Sequence, residues 1–190
     1  MKKSAGAKTY LYPTPVLVVG TYDIKDKPNL VTIAWGGICC SKPPCIAISL
    51  RKATYTYGSI VQRKAFSVNI ASDALCKTVD YIGLVSGKDT NKFKDCNLTA
   101  IKSEIIDAPL VKEFPLSLEC KLIHTLEIGL HTQFIGEILD VKAEESILDD
   151  NGRISTELLK PFVFTPGDRN YYETGAKIGD AFAIGKNLRE

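Results

Sequence analysis

A strict alternation of apolar and polar residues in the second half of the chain constrains the fold more than any other feature. Apolar residues occupy every second position of one stretch: Leu116, Leu118, Cys120 and Leu122. This period predicts a β-strand with one face buried and the other in solvent, because successive strand side chains point to opposite faces. Gly129 marks a turn or bulge, and residues 132–141 form a second β-rich run. We therefore predict a long antiparallel hairpin.

Further β-rich segments occur earlier in the chain. Residues 16–22 and 29–35 flank a turn-rich loop and predict a hairpin, and residues 45–50 predict a third strand after Pro43-Pro44. Residues 66–70 predict another strand, and short strands are expected after Pro161. Many short strands favour an antiparallel barrel over alternating βαβ units.

Two helices are expected between these strands. Thr54 is suited to cap, through its hydroxyl, a helix that runs to about Arg63. Asp73 is expected to open a second helix toward Ile82. The predicted fold class is therefore mostly β, with a few helices.

Length and charge bound the possible classes of protein. The 190 residues, 45% of them hydrophobic, predict one domain over residues 1–190. The net charge is +2 and the Lys and Arg residues form no dense block, so no nucleic-acid partner is expected. Residues 1–6 are basic with no apolar stretch after them, and no run approaches the roughly 20 apolar residues of a membrane span. We expect a cytoplasmic protein with no membrane partner.

The six cysteines do not follow a metal-binding pattern. They form no C-x-x-C pair and stand beside no clustered histidines, so no metal site is expected. We interpret them as free thiols that act as small buried hydrophobic residues in a reducing compartment.

Several common active-site motifs are missing from the sequence. It contains no G-x-G-x-x-G after a strand, no P-loop and no G-x-S-x-G elbow. Rossmann-type and P-loop nucleotide sites are thereby excluded, and hydrolase chemistry is disfavoured because the chain has two histidines.

The best candidate for a ligand site is the predicted junction between a strand and a helix. A helix N-terminus offers free N–H groups and partial positive charge, to which side chains add hydroxyls and a guanidinium. The residues concerned are Ser49, Arg51, Thr54, Tyr55 and Thr56. The pattern suits a phosphate site, but taken alone it is a weak signal, because threonine before a helix is ordinary helix capping.

Other candidates support this site without defining the ligand. Ser86-Gly87 and Lys92 follow the second helix and suit a second anion contact, or a solvated loop. Trp35 precedes Gly36-Gly37 and suits a planar ligand or the core equally well.

The two histidines are interpreted differently. His131 lies at the start of a predicted strand and is the functional candidate. His124 shares the parity of Leu122 and the other apolar residues of its strand, so we interpret it as structural.

The order of these segments resembles that of the flavin reductase-like family of FMN-binding split barrels. The resemblance covers about residues 10–186, and no motif is diagnostic alone. The segments that carry it are 29–35, Pro43-Pro44, 49–56, Tyr81-x-Gly83-x-x-Ser86-Gly87, Asn91-Lys92-Phe93, 129–137 and 171–175. The resemblance implies a Greek-key split barrel, a homodimer, and one FMN per subunit near the dimer interface.

The resemblance also implies roles for individual residues. Asn29, Thr32, Ala34 and Trp35 would line the flavin ring and ribityl chain. Ser49, Arg51, Thr54, Tyr55 and Thr56 would surround ribityl and phosphate, with Ser86, Gly87 and Lys92 on the phosphate side. His131 would face the flavin and tune it, and Phe164 and Tyr171 would come from the C-terminal segment.

Three functions are compatible with these features. The first is an electron carrier that holds FMN tightly and exchanges electrons with redox proteins. The second is an NAD(P)H-dependent FMN reductase that supplies reduced flavin to a partner. The third is a binding module without flavin.

Overall fold

The computed structural model of the protein describes residues 1–189, and strands dominate its secondary structure. The strands are β1 (Thr14–Pro15), β2 (Leu17–Tyr22), β3 (Pro28–Ile33), β4 (Gly36–Ser41), β5 (Pro44–Arg51), β6 (Ala65–Ile70), β7 (Ala100–Lys102), β8 (Pro109–Val111), β9 (Leu116–Ile128), β10 (His131–Ala143), β11 (Phe162–Thr165) and β12 (Asn170–Glu173). The helices are α1 (Tyr55–Arg63), α2 (Cys76–Leu84), α3 (Lys92–Asp95) and α4 (Thr156–Leu159). Short 3-10 turns span Asp73–Leu75, Glu145–Ile147 and Lys186–Arg189. The predicted mostly β fold with a few helices is confirmed.

A seven-stranded antiparallel sheet in the order β3-β2-β6-β9-β10-β5-β4 forms the centre of the molecule. It contains both predicted hairpins, β2–β3 and the long β9–β10. The sheet curls, so that β3 also contacts β5 and the N–H of Ser49 donates to the carbonyl of Trp35 at 2.8 Å. The segment between β3 and β4 therefore lies against the end of β5.

The interior of the curled sheet is filled by residues of one parity from each strand. Ile46, Ile48 and Leu50 point inward from β5 and pack with Phe66 and Phe134. Complete burial of such a side chain contributes about 1.5–3 kcal/mol each. The alternation of β5 therefore fixes which of its residues face away from this core.

A second core lies on the outer side of β2 and β3. Val18 and Leu30 pack there with Val79 and Ile82 of α2 and with Phe93 of α3. Leu17 and Val19 pack in the first core, whereas Val16 and Val18 pack in the second. The β2 strand is therefore buried on both faces. This explains its continuous apolar sequence.

The prediction that the polar face of residues 116–122 meets solvent is wrong in part. Ser117 and Glu119 are buried, because β7, β8 and the loop between them cover this face. The hydroxyl of Ser117 donates to Oδ1 of Asn69 at 2.7 Å, and the hydroxyl of Ser103 donates to Glu119. Hydrogen bonds inside the protein thus replace water for Ser117 and for Oε1 of Glu119, whereas Oε2 of Glu119 accepts no hydrogen bond among the described residues and lies 3.8 Å from Nζ of Lys142.

The structural role predicted for His124 is also wrong, because a β-bulge reverses the parity of β9. Leu122 pairs with Gly136 and His124 pairs with Ile135, which leaves Ile123 as the additional residue. Beyond the bulge, His124 no longer shares the face of Leu122 and is exposed.

The two helix starts differ from the predictions in detail. Thr54 is at the N-cap of α1 with extended backbone, but its hydroxyl makes no capping hydrogen bond. The helix predicted from Asp73 begins as the 3-10 turn, and regular α-helix starts at Cys76.

The cysteines only partly follow the prediction. All six are free thiols, and Cys45 and Cys120 are buried as expected. Cys39 and Cys40 are exposed, contrary to the prediction, because they lie on β4 at the edge of the sheet. Within residues 1–189 no cluster of three or more His, Cys, Asp or Glu side chains is arranged for a metal ion. The same part of the chain has no helix that is both long and apolar enough to cross a membrane.

Candidate functional site

A cleft of about 540 Å³ opens where the ends of β3 and β5 meet the N-terminus of α1 and the loop between α2 and α3. Its volume is within the range of about 300–1,000 Å³ that is usual for cofactor sites. Its lining includes hydroxyl, basic, aromatic and small residues: Val31, Thr32, Ile33, Ala34, Trp35, Ser49, Leu50, Arg51, Ala53, Thr54, Tyr55, Thr56, Gly83, Leu84, Val85, Ser86, Gly87, Lys92, His131 and Phe164.

One end of the cleft is built to attract an anion. The first N–H groups of a helix have no partners inside the helix, and the Thr54 side chain does not accept from them. The first turn of α1 has no acidic residue, so the partial positive charge of the helix end is not neutralised there. Arg51 is exposed at the same end and takes part in no ion pair among the described residues.

Asn29 lies behind the anion end and holds Thr56. Its Nδ2 donates to Oγ1 of Thr56 at 2.9 Å, and both residues are buried. Since the Thr56 oxygen accepts this bond, its own O–H remains free to donate into the cleft. Thr56 is thereby fixed as a hydroxyl donor.

Gly87 closes the cleft next to Asn29. A Cβ atom at this position would be 1.9 Å from Oδ1 of Asn29 and 3.0 Å from Cδ1 of Tyr55. No real side chain could be accommodated at such distances. The close backbone approach, and not a positive φ, is what requires glycine here.

Tyr55 forms a fixed wall of the cleft. Its hydroxyl donates to Oδ2 of Asp23 at 2.8 Å. Partial burial disfavours the Asp23 carboxylate, but the backbone N–H groups of Lys27 and Lys25 and the Tyr55 hydroxyl keep its pKa below the ordinary value. The same hydrogen bond raises the pKa of Tyr55.

Lys92 reaches the cleft from the second core. Its Nζ donates to the carbonyl oxygens of Leu30 at 2.8 Å and Ile82 at 2.7 Å. Burial lowers the pKa of the ammonium to about 8. Because an ammonium has three N–H groups, one remains for a ligand. Lys92 is therefore a buried cation held in place by β3 and α2.

Trp35 and Phe164, here called the aromatic wall, also line the cleft. Trp35 follows β3, and Phe164 of β11 pairs in register with Thr14. His131 begins β10 and pairs with Arg51 across the β5–β10 ladder. The β10 strand thus places His131 beside Arg51 at the end of β5.

The other small residues of the cleft are positioned by α2. The Thr32 hydroxyl donates to the carbonyl of Val79 at 2.5 Å, which ties β3 to the helix. A Cβ at Gly83 would be 3.3 Å from the Thr32 side chain. The α2 backbone therefore comes close to β3 on this side.

The cleft contains every residue predicted for the site except Asn29 and Tyr171. Asn29 supports Thr56 from behind instead of lining the cleft. Tyr171 packs edge-on against Phe162, and its hydroxyl donates to Oδ1 of Asp80 at 2.9 Å. Burial and this hydrogen bond raise the pKa of Tyr171. Asn29 contacts Thr56 and Tyr171 contacts Phe164, and both of these partners line the cleft.

Sequence reasoning missed the apolar part of the lining. Val31, Ile33, Leu50 and Val85 carry no chemical signal, and they reach the cleft through their strand or loop position. Gly83 could have been identified, because it belongs to the segment with Ser86 and Gly87 that carries the family resemblance.

The fold and the cleft together define a split-barrel protein with an anion site next to an aromatic wall. A family model described as the flavin reductase like domain matches residues 9–170, and the chain belongs to this family.

Its solved relatives include two flavoredoxins. Flavoredoxin of Desulfovibrio vulgaris (Miyazaki F) is 52% identical, with 98% of this chain and 100% of that chain covered at a TM-score of 0.94. Flavoredoxin from Methanosarcina acetivorans is 31% identical, with 99% of each chain covered at a TM-score of 0.91. A ferric-chelate reductase (NAD(P)H) of Archaeoglobus fulgidus is 27% identical over 103 residues, 54% of this chain and 60% of that protein.

Proposed function

We propose that the protein binds FMN in this cleft and transfers electrons between redox proteins in the cytoplasm. The observation that carries the proposal is that one cleft is lined both by anion-binding groups, at Arg51 and the first turn of α1, and by the aromatic rings of Trp35 and Phe164. A flavin mononucleotide has a phosphate at one end and a flat ring at the other. The similarity to two flavoredoxins supports the same assignment.

The residues present fit an FMN phosphate. Arg51, the free N–H groups of α1 and the Thr56 hydroxyl supply donors, and Lys92 supplies a further cation. Gly87 leaves room that a side chain would fill. Trp35, His131 and Phe164 would hold the ring.

The redox chemistry belongs to the flavin, and the protein binds it and adjusts its electronic properties. His131 would stabilise negative charge on the reduced ring by donating a hydrogen bond, which raises the reduction potential. The test compares His131→Ala with His124→Ala, whose imidazole is exposed beyond the bulge. If His131→Ala leaves both the flavin reduction potential and the reduction rate unchanged, His131 does not tune the flavin.

A second function is favoured by one observation. The ferric-chelate reductase relative carries NAD(P)H in its name, which supports an NAD(P)H-dependent flavin reductase as the second function. Both functions use the same fold and the same cleft. They differ in whether a nicotinamide reduces the flavin directly.

The decisive experiment has two stages. The purified protein is titrated with FMN and with riboflavin, and tighter binding of FMN is expected because of the phosphate site. A protein that retains no FMN would contradict the proposal and leave a flavin-free binding module. The loaded protein is then mixed anaerobically with NADH or NADPH in a stopped-flow instrument. Slow bleaching supports the carrier, whereas rapid bleaching supports the reductase.

We also propose a homodimer built on the β9–β10 hairpin. Large apolar residues are exposed along this hairpin: Ile123, Leu126, Ile128, Leu130, Leu139 and Val141. Exposed apolar surface of this kind is typical of an interface between subunits. His131 begins β10 directly after the hairpin turn, so the proposed interface is next to the cleft.

A further inference from the structure

A pair of cysteines lies across the hairpin of β4 and β5, away from the cleft. Cys40 of β4 is directly opposite Cys45 of β5 in the strand register. Directly opposite residues of an antiparallel pair have Cα atoms about 4.5–5.5 Å apart. This separation is within the range of about 4.4–6.8 Å that a disulfide needs.

The two thiols differ in accessibility. Cys40 is exposed because β4 is the edge strand, whereas Cys45 is 3% exposed and its thiol donates to the carbonyl of Pro43 at 3.4 Å. Burial, followed by the neighbouring Cys40 and Cys39, raises the pKa of Cys45. An exposed thiol with a buried thiol opposite it is the arrangement of an attacking and a resolving cysteine.

Cys39 supplies a natural control. It is the additional residue of a bulge between Ile38 and Cys40, so it has no partner in β5. It is exposed like Cys40 and directly precedes it in the chain. A reaction that depends on exposure alone would therefore occur at both cysteines, whereas one that depends on register would need Cys40.

We propose that Cys40 and Cys45 form a dithiol–disulfide couple that reduces low-molecular-mass disulfides. The Cys40 thiolate attacks one sulfur of the substrate disulfide and expels the other sulfur as a thiolate. Cys45 then loses its proton and attacks the Cys40 sulfur, which releases the second substrate thiolate. The protein loses two electrons and two protons in total, and the substrate gains them as two thiols.

The test uses the folded, full-length protein with oxidised glutathione as the probe. Wild type and Cys39→Ser are expected to lose two hydrogen atoms from the intact mass and to retain no glutathione. Cys45→Ser is expected to accumulate one glutathione on Cys40. Cys40→Ser is expected to form no internal disulfide.

Two results would overturn the proposal. The first is a wild-type protein that keeps its glutathione adduct, because the resolving step would then not occur. The second is a Cys39→Ser variant that forms no internal disulfide, because Cys39 and not Cys40 would then be the disulfide partner of Cys45. Peptide sequencing by mass spectrometry assigns the linkage, since all three cysteines lie within residues 28–51. The Cys39→Ser result remains informative even if Cys45→Ser does not fold.

Discussion

The Nδ2 atom of Asn29 donates a hydrogen bond of 2.9 Å to Oγ1 of Thr56, behind the anion end of the cleft. Asn29→Asp would reverse this bond, because a carboxylate accepts only and would turn the Thr56 hydroxyl away from the cleft. We expect Asn29→Asp to weaken FMN binding roughly tenfold or more, and Asn29→Ala to weaken it less. Fluorescence titration measures both. Wild-type affinity in Asn29→Asp would show that Thr56 is not a donor to the ligand.

Gly87 offers a test of the close approach at the cleft. Gly87→Ala would push Asn29 and Tyr55 apart, and we expect it to reduce the free energy of unfolding by about 1–3 kcal/mol and to weaken FMN binding. Gly58→Ala is the matched control. Gly58 is exposed within α1 with nothing within 4 Å of its Cβ position, so alanine there should stabilise by about 0.5–1 kcal/mol. Denaturant unfolding compares the two variants, and equal effects would contradict the prediction.

Arg51 and Lys52 are neighbours with different roles. Arg51 lines the cleft, whereas Lys52 forms an exposed ion pair of 2.6 Å with Glu127. We expect Arg51→Gln to weaken FMN binding about ten- to a hundredfold while leaving riboflavin binding unchanged, because the lost contact is with phosphate. Lys52→Gln removes the same charge and should change neither affinity. Equal losses for FMN and riboflavin in Arg51→Gln would place the phosphate elsewhere.

Lys92 predicts a dependence of stability on pH in the protein without cofactor. Its pKa is about 8 in the folded protein against 10.5 ordinarily, so burial penalises the charged form. The penalty is fully present below pH 8. Between pH 8 and about 10.5 only the unfolded chain holds the proton, so the penalty falls as the pH rises through this range. The contribution of Lys92 to stability therefore rises by about 3 kcal/mol over this range. Denaturant unfolding at both ends should show this gain in wild type and not in Lys92→Met.

Bound FMN is expected to offset part of the effect that burial has on the charged form of Lys92. A phosphate near the Lys92 ammonium favours the charged form, so FMN binding is expected to weaken as pH rises through about 8. Lys92→Met should bind FMN more weakly at pH 7 and lose this dependence. Unchanged dependence in the variant would assign it to another group.

The hairpin surface predicts the effect of a charge on assembly. Leu126 is 54% exposed on β9, and Leu126→Asp is expected to convert the proposed homodimer to a monomer. Ile101→Asp is the control, since Ile101 is 43% exposed on β7, outside the hairpin. Light scattering after size-exclusion chromatography gives the mass of each. A monomeric wild-type protein would contradict the proposed interface.

The sequence revealed β2, β3, β5, β6, β9 and β10 and the strand-to-helix junction at Arg51–Thr56 because local patterns encode them, whereas β1, β4, β7 and β8 were not predicted. Alternation of Ile46, Ile48 and Leu50 depends only on neighbouring residues. The position of His124 could not be derived, because the bulge at Ile123 arises from pairing with β10. Burial of Glu119 likewise depends on β7 and β8, which precede it in the chain and give no local signal. Asn29 and Tyr171 were predicted for the site but are not part of the cleft lining, since resemblance transfers positions without showing which atoms they contact.

Lys92 connects two separately packed parts of the molecule by hydrogen bonds. Its ammonium is held by β3, which belongs to the barrel, and by the end of α2, which belongs to the outer layer. A folding intermediate with a closed barrel but an undocked α2 would lack this cation and the loop that carries Gly87. Capture of the cofactor would then be a late event in the maturation of the chain, and retention of FMN would report that both layers have assembled.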